Sequence, residues 1–307
     1  MRVAAIDQGT NTTRLLVADV ADGNVEQVVR KSTITRLGEG VDTRHRLLPF
    51  PIARVRNCLS DYRKELESLG AERTLLVATS AVRDAENGEA FLGEIEWSYG
   101  FTTRLLSGDE EAAMTLRGVG GVAEGTVVID IGGGSTELIR SDGRVSTELG
   151  AVRMTERFLA GDPPTASERA SLADAIRAVL SEHDDEASRG IGVAGTVTSL
   201  AALDLGLVEY DSDRVHGHRL SIEGAERQLE RLAALPLAER REVPGLEPER
   251  APVIVAGATI LVEAMRYLGL DEIEVSERDI LDGAALEAAE LPEPVEGDAP
   301  PGAYTCC

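Results

Sequence analysis

The sequence predicts an α/β protein made of two related halves, and three observations lead there. Apolar strand-like runs alternate with helical stretches along the chain, the pattern of sheets covered on both faces. One unit, a strand ending in Asp-x-Gly followed by a small polar turn and a second strand, occurs twice. It reads VAAIDQGTNTTRLLVAD at residues 3–19 and VVIDIGGGSTELI at 127–139. With 307 residues the chain has room for two ordinary domains, and widely spaced internal similarity suggests duplicated halves rather than a repeat array.

Each half continues in the same way. After the first hairpin come a strand-rich stretch at 25–36, a helix at about 52–69, a strand at Arg73–Thr79, a helix around Glu89–Tyr99 and a strand at Thr102–Leu106. A helix starting at Asp109 ends near Gly118-Val119-Gly120-Gly121, where the join is expected. The second hairpin leads to a strand at 144–149, helices near 151–160 and 165–188, and a strand at Gly190–Gly195. A helix with Ser199-Leu200-Ala201-Ala202-Leu203, a strand at 214–221 and further helices follow. The expected domains are 1–117 and 118–291, with the last helix, about 279–291, able to pack back on the first. Residues 292–307 are rich in Pro, Gly and acid and read as a disordered tail.

Composition excludes several partner classes. The net charge is −23, from 54 acidic and 31 basic residues, and repels nucleic acid and anionic membrane alike. No apolar run is long enough to cross a bilayer, and Met1-Arg2-Val3 runs straight into a strand-like segment. A cytoplasmic protein without a signal peptide is therefore expected. Aromatics are only 3% of the chain, so the core must be mostly Leu, Val, Ile and Ala. Cys58, Cys306 and Cys307 form neither a metal spacing nor a disulfide framework. Cys58 reads as a small apolar residue in a helix, and the terminal pair as inert.

The glycine stretch decides the chemistry. It has no Gly-x-x-x-x-Gly-Lys pattern and no nearby lysine, which excludes a P-loop. A dinucleotide fingerprint would open a helix, whereas Ser135-Thr136-Glu137-Leu138-Ile139 alternates like a strand. What remains is a hairpin turn, Gly132, Gly133, Gly134 and Ser135, whose backbone N–H groups and serine hydroxyl meet an anion. Asp130, at the strand end, suits a divalent cation beside a phosphate. Asp7-Gln8-Gly9-Thr10-Asn11-Thr12 is the matching clamp, with Thr10 and Asn11 as phosphate ligands. Facing hairpins of this kind can grip a phosphate chain in a cleft between two domains. A third glycine turn, with Gly195 and Thr196, ends a strand and opens a helix where a further anion ligand is needed, and Thr196 or Thr198 can cap that helix. His216 and His218 alternate in VHGHRLS, sharing one strand face, and are expected in structural roles.

These motifs resemble the exopolyphosphatase and guanosine pentaphosphate phosphohydrolase (Ppx/GppA) family, within the superfamily of actin, sugar kinases and heat-shock chaperones. Beyond the hairpins, four segments carry the resemblance, in the family's order over residues 1–290. They are Thr79-Ser80-Ala81-Val82-Arg83-Asp84-Ala85-Glu86-Asn87, Leu106-Ser107-Gly108-Asp109-Glu110-Glu111-Ala112, Val253-Ile254-Val255-Ala256-Gly257-Ala258 and Val275-Ser276-Glu277-Arg278-Asp279-Ile280-Leu281-Asp282-Gly283. Gln8 stands where the family commonly has cysteine or leucine, and Thr12-Thr13 where Ser-Ile is typical; Thr12 keeps a hydroxyl.

The resemblance implies two ribonuclease-H-like, actin-like ATPase domains with a cleft between them. It implies hydrolysis of terminal phosphate from inorganic polyphosphate, or alternatively of guanosine pentaphosphate (pppGpp), and leaves a homodimer open. Glu111 matches the catalytic base, and acidic first-turn placement also suits a water-activating carboxylate. Arg83 matches the substrate-binding arginine, with Asn87 on the same face; Arg36 lies in another recurrent segment. Asp7 and Asp130 would hold Mg²⁺, with Mn²⁺ as an alternative. A superfamily kinase, an actin-like filament protein and a non-catalytic sensor of polyphosphate or the alarmone are the readings outside this class.

Overall fold

The computed structural model describes residues 1–183 and 186–292; the expected tail lies, Pro292 apart, outside the described residues. The chain divides into two compact units, Met1–Val119 with the segment from Ile280 onward, and Gly120–Asp279.

The first unit begins with strands β1 (Arg2–Gln8), β2 (Thr12–Ala21) and β3 (Asn24–Ile34). A short helix α1 (Val41–Arg44) and the long α2 (Pro49–Ser68) follow, α2 opening on a proline where no amide partner is needed. Then come β4 (Arg73–Ala78), α3 (Ser80–Arg83), α4 (Gly88–Tyr99), β5 (Thr102–Leu105) and α5 (Gly108–Gly118). The sheet order is β3-β2-β1-β4-β5, antiparallel among the first three and parallel from β1 to β5.

Alternation along β1 and β4 gives this sheet two buried faces. Ala4, Ile6, Leu15, Val17, Leu76 and Ala78 pack under Val55, Leu59 and Tyr62 of α2 and Phe91, Leu92 and Ile95 of α4. Val3, Ala5, Leu16, Ala18, Leu75 and Val77 form the other face, which Met114 of α5 helps to cover. Asp7 continues the Val3–Ala5 row and so lies on the face that α5 covers.

The second unit repeats the plan. Its elements are β6 (Thr126–Ile131), β7 (Thr136–Ile139), β8 (Arg144–Thr147), α6 (Ala151–Phe158), α7 (Ala166–Leu180), β9 (Arg189–Val193) and α8 (Ala194–Asp204). After them come α9 (Ser212–Val215), β10 (Arg219–Ser221), α10 (Ile222–Ala233), α11 (Leu237–Arg240), α12 (Ile254–Leu268) and β11 (Glu272–Val275). The order β10-β11-β9-β6-β7-β8, read from β8 through to β11, matches the first sheet strand for strand. Val127, Ile129, Ile131 and Leu138 pack into one large core with α7, α8, α10 and α12. The chain then crosses back, and α13 (Ile280–Glu290) lays Ile280, Leu281, Ala284, Ala285 and Ala288 on the second face of the first sheet.

Three local expectations are corrected. The helix expected at 165–188 stops at Leu180. The strand expected at 214–221 is mostly something else: the Asp211 side chain accepts from the N–H groups of Asp213 and Arg214, capping a short helix. Gly217, at φ 77°, then turns the chain, and only Arg219–Ser221 pair as a strand. His216 and His218 therefore do not share a strand face. His218 Nε2 lies 3.1 Å from Asp204 Oδ2, and His216 Nδ1 accepts from the Glu277 N–H at 3.2 Å.

Candidate active site

The two hairpin turns have the same backbone. In the first unit the Gly9 N–H donates to the Thr12 carbonyl at 3.0 Å, and in the second the Gly132 N–H donates to the Ser135 carbonyl at 3.0 Å. A β-carbon on Gly9 would meet the Thr12 carbonyl at 3.1 Å, and on Gly132 the Ser135 carbonyl at 3.2 Å, so glycine is needed at both for close approach.

The carbonyls of both turns are drawn away by packing from behind. Thr10 and Asn11 accept from the N–H groups of Gly38 (2.8 Å) and Arg36 (2.9 Å). Gly132 and Gly133 accept from the first amides of α6, Ala151 (2.9 Å), Val152 (2.8 Å) and Arg153 (3.2 Å). The N–H groups of Thr10, Asn11, Gly133, Gly134 and Ser135 find no acceptor among the described residues. Clustered, unspent backbone N–H groups are what an anion-binding turn requires.

In the first unit the turn is tied to the Thr79–Asn87 segment. The Thr10 and Ser80 hydroxyls are 2.7 Å apart, both buried. Three residues on, Arg83 NH1 donates to the Leu106 carbonyl at 2.7 Å and lies 3.3 Å from Glu111 Oε2. Glu111, with a side chain only 11% exposed, sits in the first turn of α5. That turn is fixed by a complete capping box: Ser107 Oγ accepts from the Glu110 N–H, and Glu110 Oε2 accepts from the Ser107 N–H at 2.8 Å. The Ser107 bonds hold the Glu110 carboxyl below its ordinary value of 4.5. Asn87 instead bonds both backbone groups of Leu47, a role in loop structure rather than on the Arg83 face.

The buried aspartates at the strand ends have different neighbours. The register places Arg14 opposite Asp7, and Arg14 donates to Asp7 Oδ2 from Nε at 2.9 Å, with NH2 at 2.7 Å. In the second hairpin the same register places Glu137 opposite Asp130. Directly opposed residues have β-carbons about 5 Å apart, so two buried carboxylates are neighbours there. That donor set suits a hard divalent cation, which takes one or two carboxylates and fills its shell with water and phosphate oxygen. Asp7 fits less well because one oxygen carries Arg14. Among the described residues, no group of three or more His, Cys, Asp or Glu side chains gathers as a complete protein cage.

The third turn differs from expectation. α8 begins at Ala194, so Gly195 and Thr196 lie inside its first turn, and neither Thr196 nor Thr198 caps it: the N-cap is Val193, with no side-chain bond. Ala194 holds φ 65°, a left-handed conformation uncommon outside glycine. Arg250 lies so close over Gly195 that a β-carbon there would meet its NH1 at 1.9 Å, while its Nε donates to Glu247 at 2.7 Å.

Against this geometry, residues 16–290 match the model of the Ppx/GppA phosphatase family. The chain belongs to that family. Exopolyphosphatase 2 of Mycobacterium tuberculosis is 39% identical over 317 residues, covering 94% of this chain and 98% of the relative. A solved exopolyphosphatase-like protein superposes with a TM-score of 0.88 at 33% identity, over 94% of this chain and 99% of that one. The Aquifex aeolicus Ppx/GppA member follows with a TM-score of 0.79 at 29% identity, over 94% and 98%. As a Ppx/GppA protein, the chain has an α/β fold of two units, each built around its own mixed sheet.

Sequence reading passed over several residues that lie beside the candidate groups of each unit. Arg14 and Glu137 could have been found by counting across each turn from the aspartate. Ser80 lies inside a segment already singled out. Arg153 and Arg250 had no local signal, because each reaches its glycine turn from a distant helix or loop.

Proposed function

We propose that this chain is an exopolyphosphatase, releasing terminal orthophosphate from inorganic polyphosphate. The observation that carries the reading is Glu111: a nearly buried carboxylate, fixed by the α5 capping box, in contact with Arg83 and on the sheet face that carries Asp7. Glu111 takes a proton from the water that attacks the terminal phosphorus, the new P–O bond forming as the bridging P–O bond breaks in line. Arg83 offsets charge on the transferred phosphoryl group. The Thr10–Asn11 amides, the Gly132, Gly133, Gly134 and Ser135 turn, and Gly195–Thr196 in the first turn of α8 hold phosphate oxygens.

Asp130, with Glu137 beside it, and Asp7 would hold a divalent cation, Mg²⁺ with Mn²⁺ as an alternative; when bound, it neutralises phosphate charge. Among the described residues no helix is long and apolar enough to cross a membrane.

Phosphate release is measured from long-chain polyphosphate, guanosine pentaphosphate and ATP, with Mg²⁺ or Mn²⁺ present. Polyphosphate is the expected best substrate, and Glu111→Gln lowers kcat by about 10² to 10⁴. Preference for guanosine pentaphosphate would move the assignment to that substrate. Full activity in Glu111→Gln would remove Glu111 as the base.

A further inference from the structure

The first three carbonyls of each hairpin turn all have a partner, but the partners differ in kind. In the second unit the Gly132 and Gly133 carbonyls accept from the first amides of α6, and the Gly134 carbonyl accepts from Arg153 Nε at 2.8 Å. Helix α6 comes so near only because residue 150 is glycine: a β-carbon there would meet the Gly133 carbonyl oxygen and the Gly134 Cα at 2.3 Å. In the first unit the Thr10 and Asn11 carbonyls accept from the Gly38 and Arg36 N–H groups. No backbone N–H among the described residues donates to the Gly9 carbonyl. Its partner is the Gln8 side chain, whose Nε2 donates at 3.2 Å.

The Gln8 amide has one possible orientation. A carbonyl only accepts, so the amide nitrogen faces Gly9 and the amide oxygen faces Thr13. Thr13 Oγ1 donates to Gln8 Oε1 at 2.8 Å, which leaves its lone pairs for the Thr35 hydroxyl, 2.9 Å away. Donation thus runs one way, from Thr35 to Thr13 to Gln8 to Gly9, through three buried side chains.

Packing alone does not call for an amide at this place. Strand register sets Gln8 opposite Thr13 and, in the second hairpin, Ile131 opposite Thr136. Ile131 is as buried as Gln8, and the Thr136 hydroxyl donates to the Leu149 carbonyl instead. An apolar side chain fills the position where a helix amide serves the glycine carbonyl, and glutamine fills it where none does. Burying a side-chain amide costs free energy that isoleucine would not, so the bond to Gly9 is what accounts for Gln8.

We propose that Gln8 is a positioning residue of the first phosphate turn, setting the direction of the Thr10 N–H. The inference rests on the phosphate role given to Thr10 and Asn11. In a planar trans peptide the C=O and the N–H point opposite ways. Holding the Gly9 carbonyl towards Gln8 therefore turns the Thr10 N–H away from the interior, where it has no acceptor among the described residues. Without that hold the peptide could swing, since glycine leaves the backbone its widest freedom. Gln8 touches no phosphate and acts through the Gly9–Thr10 peptide.

The test follows the Thr10 and Asn11 amide signals of isotope-labelled protein by NMR as tripolyphosphate is added. Calorimetry, phosphate release and thermal midpoints are measured alongside. In Gln8→Met, which keeps the shape and loses the donor, the dissociation constant rises by about tenfold. KM for polyphosphate rises with it, and the Thr10 amide no longer shifts. Thr13→Val, which removes the donor that fixes the Gln8 oxygen, weakens binding by a smaller factor, and Thr13→Ser restores it. If Gln8→Met fails to fold, the Thr13 pair decides. A Gln8→Met protein that binds like wild type with the Thr10 shift intact would overturn the proposal, whatever its midpoint. So would equal losses in Thr13→Val and Thr13→Ser, which mark packing alone. A wild type that shifts both amides but releases no phosphate would sink the exopolyphosphatase reading and leave this one standing. A wild type whose Thr10 and Asn11 amides ignore tripolyphosphate would overturn this proposal together with the phosphate role of the turn.

Discussion

Gly150 touches the loop it supports, and its only substituents are hydrogens. Gly150→Ala forces a methyl group into backbone atoms at 2.3 Å, so α6 and the turn must separate. Loss of about 1–3 kcal/mol in denaturant unfolding is expected, with a higher KM for polyphosphate. Ala194 is the reverse case: an L-residue at φ 65°, where glycine would relieve strain. Ala194→Gly should raise stability by up to about 1 kcal/mol, the left-handed penalty less glycine's entropy, and a lower midpoint would count against strain there. At this scale the sequence disclosed residue types with strong local signatures, namely the two Asp-x-Gly turns and the Ser-Gly-Asp-Glu-Glu run. It did not disclose which charge stands opposite each aspartate. Arg14 and Glu137 are set by strand register, and Arg153 and Arg250 by packing between elements far apart in the chain.

The helix carrying Glu111 is anchored by its capping box. Ser107→Ala removes the hydroxyl acceptor for the Glu110 N–H and should cost about 1 kcal/mol. Glu110 is bound to Ser107 and to Arg104 NH2 at 2.9 Å, and its carboxyl is held below 4.5 in the folded state. Its stabilising contribution is therefore fully present above the unfolded value and disappears as pH falls through the lower folded one. Glu110→Gln should flatten the fall of unfolding free energy below about pH 4.5, as read by chemical denaturation at stepped pH. An unchanged slope would show that the box does not tighten with ionisation. The α5 start was legible because a run of acidic residues, Asp109 to Glu111, suits a helix N-terminus, while the Ser107 capping box emerged only with the structure. The short helix at Ser212–Val215 was not, since VHGHRLS alternates like a strand and only the Asp211 cap and the Gly217 turn reveal otherwise.

Over the whole molecule, the first sheet depends on α13. Gly283 lets α13 approach α5 until a β-carbon would lie 2.0 Å from the Met114 carbonyl. Arginines from four places fasten the same helix: Arg30 to Asp282 at 2.6 Å, Arg104 to Glu287, Arg117 to Glu290 at 2.6 Å, and Arg73 to the Ala289 carbonyl at 2.8 Å. Asp282 is 8% exposed in its pair with Arg30, so Arg30→Ala should cost about 1–3 kcal/mol by taking one charged partner from a buried carboxylate. The exposed Arg117→Ala should cost under about 1 kcal/mol. Equal losses in the two would refute this ranking. Gly283→Ala should lower the thermal midpoint and also kcat, because α5 bears Glu111.

The return of α13 also sets an order of birth for the chain. The residues from Gly120 to Asp279 form a contiguous unit, which can fold as soon as it leaves the ribosome. Strands β1 to β5 emerge before it, yet Val3, Ala5, Leu16, Leu75 and Val77 wait for α13, which is made after it. At about 5–20 residues per second, that delay lasts on the order of ten seconds or more. During synthesis the first unit is thus completed after the second, although its strands are made before it, and its uncovered sheet face is where a nascent-chain chaperone would be needed.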